Sequence, residues 1–70
     1  MKTIYDIQQY LKSFGTVIYV GDRLADLELM EAELKDMYRA QLIQPGDFQT
    51  AIMLLRHEIM LEKEKRQKQG

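Results

Sequence analysis

The stretch Gly21 to Leu42, GDRLADLELMEAELKDMYRAQL, limits the fold more than any other part of the chain. Leu24, Leu27, Met30, Leu34, Met37 and Tyr38 recur at the three-and-four spacing that lines side chains along one helix face. Both ends are marked. Gly21-Asp22 supplies a turn and an N-cap, because the Asp22 carboxylate can accept from an unpaired first-turn amide. Gln44-Pro45-Gly46 cannot continue the helix. A long helix over about residues 22–42, apolar on one side, needs neighbours to cover that side.

The flanking segments supply them. Thr3 is a good N-cap for a first helix, about residues 3–14, with Ile4, Ile7, Leu11 and Phe14 as its stripe and Tyr10 beside them. Asp6 falls in the first turn, where the helix dipole favours negative charge, and Gly15 takes the C′ position. Tyr5 points off the stripe. Asp47 is expected to cap a third helix over about residues 47–64, with Phe48, Ala51, Ile52, Leu55 and Ile59 inward. Between the first two helices, Thr16-Val17-Ile18-Tyr19-Val20 has strand composition but no second strand to pair with. It is expected as an extended connector, with either Ile18 and Val20 or Val17 and Tyr19 facing inward, in preference to a local β-bridge or a strand paired with another molecule. The fold class is therefore all-α: a compact three-helix bundle over residues 1–62 with a short extended connector between helices 1 and 2. Residues 63–70 form a basic polar extension, expected to continue the helix briefly and then fray.

The 70 residues suffice for one small domain. Cysteine is absent, so no disulfide and no thiolate metal site can form, which fits a cytoplasmic setting. No apolar run approaches the roughly 20 residues that span a bilayer, and the opening MKTIYDIQQ lacks the apolar core of a signal peptide. Neither a membrane nor a small-molecule substrate is expected as a partner. Charge is uneven: residues 22–62 carry nine acidic and four basic side chains, whereas residues 63–70 carry four basic and one acidic.

Few groups could carry chemistry. His57-Glu58 resembles the start of a zinc HExxH motif, but position 61 is Leu. The single histidine and single serine assemble no nucleophile, base and orienting group, so His57 is expected as a surface residue, and no enzyme, metal or cofactor is expected. Asp22, Asp26, Glu28, Glu31 and Glu33 fan around one helix rather than converging on a cation, and a cap plus a solvated acidic face accounts for them.

Tyr19-Val20-Gly21-Asp22-Arg23-Leu24, then Asp26, then Glu28-Leu29-Met30-Glu31, resembles the signature of the YqgQ-like family of small bacterial proteins. The opening MKTIYDIQQYLKSFG is similar to that family's first helix. Leu42-Ile43, Phe48, Ala51 and Leu54-Leu55-Arg56 are similar to its last. The resemblance covers about residues 1 to 62. It implies an all-helical bundle from Gram-positive bacteria and a role in binding single-stranded nucleic acid. The natural carriers here are Tyr19, Arg23, Tyr38, Arg39 and Arg56, because rings stack on bases and guanidinium groups meet phosphates. The Gly21-Asp22-Arg23 corner adds outward amides at a helix start. The basic end, Lys63, Lys65, Arg66 and Lys68, could also meet phosphates, or simply complement the helix dipole.

Surplus apolar positions point instead to a protein partner or a weak homodimer. Leu54 and Leu61 are heptad-spaced on the third helix, Met53 and Met60 likewise on another flank, and Leu29 leaves the stripe of the second.

Overall fold

The structure, a computed structural model, describes residues 1–68. Its helices are α1 (Ile4–Ser13), α2 (Arg23–Arg39) and α3 (Pro45–Lys68). The all-α three-helix bundle expected from the periodicity is what forms, and there is no strand among the described residues.

α1 and α2 begin and end where their local chemistry requires. Thr3 and Asp6 make a reciprocal capping box at α1: the Thr3 hydroxyl accepts from the Asp6 amide, and the Asp6 carboxylate accepts from the Thr3 amide. Asp22 caps α2 by accepting from the Ala25 amide at 2.9 Å. Gly15 closes α1 at φ 86°, with the Thr16 amide donating back to the Leu11 carbonyl. The same closure ends α2, where the Leu42 amide donates to the Met37 carbonyl. There the left-handed position is filled by Gln41 at φ 60°.

Both boundaries at the α2–α3 turn differ from expectation. α2 stops at Arg39 rather than near residue 42, because the left-handed Gln41 turns the chain. α3 starts at Pro45, not at a cap on Asp47. Proline suits the first helical position because its missing amide hydrogen would be unpaired there anyway. The Gln44 carbonyl accepts the first intrahelical bond, from Phe48 at 2.9 Å. Asp47, already inside the first turn, receives the Tyr10 phenol at 3.4 Å.

α2 and α3 run antiparallel. Tyr38 meets Phe48, Glu31 faces Arg56, and Asp22 faces Arg66. α1 packs onto this hairpin, chiefly against α3. The core holds Ile4, Ile7 and Leu11 of α1, Leu27, Met30, Leu34 and Met37 of α2, Ile43 of the turn, and Ala51, Ile52 and Leu55 of α3. Burying such a side chain stabilises by about 1.5–3 kcal/mol. Phe14, expected on the α1 stripe, is instead the C-cap; it is 44% exposed and stands edge-on to Tyr10.

The connector resolves its two alternatives in favour of Ile18, which is half-buried, while Val17, Tyr19 and Val20 are exposed. The third helix runs past its expected end near residue 64, and the fraying expected beyond it falls partly outside the described residues. α3 continues through Lys68, and Arg66 is held by Asp22 at 2.6 Å and by Glu62 one turn earlier. The Lys68 side chain, Gln69 and Gly70 lie outside the described residues.

Candidate binding surface

The hairpin brings the last turn of α2 against the first turn of α3. Tyr38 and Phe48 each lie five residues from Ile43 in the turn, so an antiparallel return makes them neighbours. Their rings stack with centroids 4.2 Å apart and planes 7° from parallel. Tyr38 remains 38% exposed. Gln49, Ile52, Met53 and Arg56 continue the surface along α3, giving a shallow groove of about 440 Å³. Among the described residues, no carboxylate lines it.

Arg56 supplies the groove's positive charge. Its Nε lies 3.8 Å from Glu31, and its side chain is 64% exposed. An ion pair that open holds the guanidinium only weakly, typically by less than about 1 kcal/mol. The group is free to turn toward an incoming anion.

The other residues proposed to meet nucleic acid do not join this groove. Arg39 lies 3.6 Å from Asp36 on a mixed-charge furrow that also holds Glu28, Glu31, Lys35 and Lys63. Tyr19, 82% exposed, stands on the connector beside Lys12, Gln8 and Gln9. Arg23 is exposed at the start of α2. The Gly21-Asp22-Arg23 corner is already satisfied. Asp22 caps Ala25 and binds Arg66, and that guanidinium, together with the Ala25 amide, holds its carboxyl below the usual carboxylate range. A carboxylate at that position leaves the corner unsuited to a second anion. Of the basic end, Arg66 is therefore engaged rather than free.

The residues proposed as an interaction surface also separate. Leu54 is half-buried and packs against the core, and Leu61 is half-buried. Met53 and Met60 are 65% and 49% exposed on α3, and Leu29 faces the connector with Val17, Tyr19 and Val20.

Two contributors escape the sequence pattern. Phe48 reads as plain core, yet it is the base of the tyrosine stack. Asp26 reads as part of an acidic face, yet it is 8% exposed and accepts the Val20 amide at 2.7 Å. Its signal was its place on the Met30–Leu34 line of α2, at i, i+4 and i+8. His57 is exposed. No cluster of three or more His, Cys, Asp or Glu side chains positioned to hold a metal occurs among the described residues.

Fold and surface together define a small helical bundle with shallow, solvent-open grooves. A family model described as YqgQ-like matches residues 1–61, and the chain belongs to that family. A protein of Bacillus subtilis (strain 168), named uncharacterized protein YqgQ, is 42% identical over 59 residues, spanning 84% of this chain and 83% of its own. No helix of the described residues is long and apolar enough to cross a membrane.

Proposed function

We propose that this protein is a cytoplasmic, non-catalytic binding module whose ligand is single-stranded nucleic acid, held in the Tyr38–Phe48 groove. One observation carries the reading. A stacked aromatic pair opens to solvent in the same groove as a loosely held guanidinium, and among the described residues no carboxylate lines that groove. Bases stack on rings without regard to sequence, and a mobile guanidinium can follow the phosphates. Met53 adds a polarizable apolar contact, and Gln49 an amide able to meet a base edge.

The acidic middle of the chain opposes a polyanion, so binding is expected to be weak and confined to this groove. Titrating labelled oligo-dT and oligo-U at two salt concentrations tests the reading. Affinity should fall with salt by roughly 0.7 log unit per log of salt for each phosphate contacted. Arg56→Gln should flatten that slope, and Tyr38→Leu should weaken binding by about 5–100-fold without flattening it. Absence of binding at low salt would remove the reading.

A second reading rests on Met53 and Met60, which stand exposed on α3 on either side of Arg56. Flexible thioethers suit an apolar protein contact. A protein-interaction adaptor using this stripe would bind with little dependence on salt, which separates it from the first reading.

A further inference from the structure

The connector between α1 and α2 forms no strand ladder among the described residues, and its backbone is open for pairing. Burial alternates along it: Thr16 and Ile18 are half-buried, Val17 and Tyr19 exposed. That is the pattern of an extended strand with one face on the core. Its ends are fixed, since the Thr16 amide donates to the Leu11 carbonyl at 3.0 Å and the Val20 amide to Asp26 at 2.7 Å. Among the described residues, the backbone groups of Val17 and Tyr19 have no hydrogen-bond partner. Successive amides of an extended strand point to opposite edges. Val17 and Tyr19 therefore share the edge opposite to the one that Thr16 and Val20 use.

Lys12, Glu33 and Asp36 flank the connector from the neighbouring helices, but the connector itself carries none of the usual devices against edge pairing. From Ser13 to Gly21 the chain has no charged residue and no proline, the usual devices against edge pairing. Val17 and Tyr19 are 76% and 82% exposed.

We propose that this edge pairs with the same edge of a second copy, as an antiparallel two-stranded ribbon centred on Ile18. The register follows from symmetry, because a two-fold axis through Ile18 sets Val17 of each copy opposite Tyr19 of the other. Each such pair exchanges two N–H to C=O bonds, which satisfies all the free groups of both residues. Each also sets a β-branched side chain against an aromatic one, a favourable cross-strand combination. Leu29 lies beside Val17, Tyr19 and Val20 in a groove that Glu33 and Asp36 also line. A nucleic acid has no ladder of alternating amides and carbonyls to complete this edge, and no residue of the Tyr38 groove takes part. The ribbon is short and buries far less than the roughly 1,200 Å² of a stable interface, so association belongs near millimolar protein.

Disulfide trapping reads the register directly, because the chain has no cysteine of its own. Hydrogen-bonded antiparallel partners have Cα atoms about 5.5 Å apart, within disulfide reach, whereas the two Val17 positions lie about 8 Å apart on the diagonal. Mixing Val17→Cys with Tyr19→Cys should give the mixed disulfide in about tenfold excess over either symmetric one. Sedimentation of the unmodified chain should show mass rising toward the dimer near about 1 mM, and Val17→Pro, which deletes one donor, should abolish the rise. Equal yields of the three disulfides, or a monomer at that concentration, would overturn the proposal.

Discussion

The carboxylate of Asp26 accepts the backbone amide of Val20 at 2.7 Å, and this one bond ties the end of the connector to the first turn of α2. Gly21, at φ 84°, makes the turn that lets the chain double back so closely. Asp26→Ala leaves the Val20 amide without its partner. It should cost about 1.5–3 kcal/mol, the range for a hydrogen bond to a charged group. Denaturant unfolding measures the loss, and hydrogen exchange at Val20 should accelerate. Asp26→Asn keeps an acceptor oxygen and should recover most of the stability.

Gln41 holds the left-handed position that closes α2. A side chain there is strained, whereas glycine adopts φ near 60° freely. Gln41→Gly should therefore stabilise the fold by about 0.5–1 kcal/mol after the extra chain entropy of glycine is subtracted. A thermal melt should show a rise of a few degrees, about 3–6 °C for a domain of this size. A lower melting temperature would mean that the Gln41 side chain contributes more than its backbone strain costs.

Acid should loosen both capped helices. The amides of Lys2 and Thr3 hold the Asp6 carboxyl below its ordinary range, and Arg66 does the same for Asp22. Both pKa values are lower in the folded chain than in the unfolded one. Their contribution is thus fully present above the ordinary carboxylate range and is lost as pH falls through the folded values. Melting temperature should be flat near neutrality and drop as the pH falls below about 4. Asp22→Asn should shrink that drop while lowering stability at neutral pH. Arg66 stays protonated throughout, because pairing with Asp22 raises its pKa further.

Most of the bundle was legible because three amphipathic periods leave few alternatives. Thr3, Asp22 and Gly15 marked helix ends through local hydrogen bonding and backbone freedom, and the structure places them so. The end of α2 was missed because glutamine gives no sign of a left-handed conformation. The start of α3 was placed two residues late because Asp47 has a capping side chain, although Pro45 already fits the first helical position. Along α3, Arg66 meets Asp22, 44 positions away, a contact that no local pattern encodes. The candidate groove was half visible. Tyr38 and Arg56 stood out by residue type, but their meeting with Phe48 depends on the hairpin's antiparallel return. The packing of Leu54 against the core was not legible either, because a helical wheel does not show how far a neighbouring helix wraps around it.

The claim that the Tyr38–Phe48 groove holds single-stranded nucleic acid is tested most directly by amide chemical-shift mapping of the labelled protein during addition of oligo-dT at low salt. The account predicts shifts gathered on Tyr38, Phe48, Gln49, Met53 and Arg56, fading as salt is raised. An unchanged spectrum, or shifts confined to the connector and α1, would contradict it.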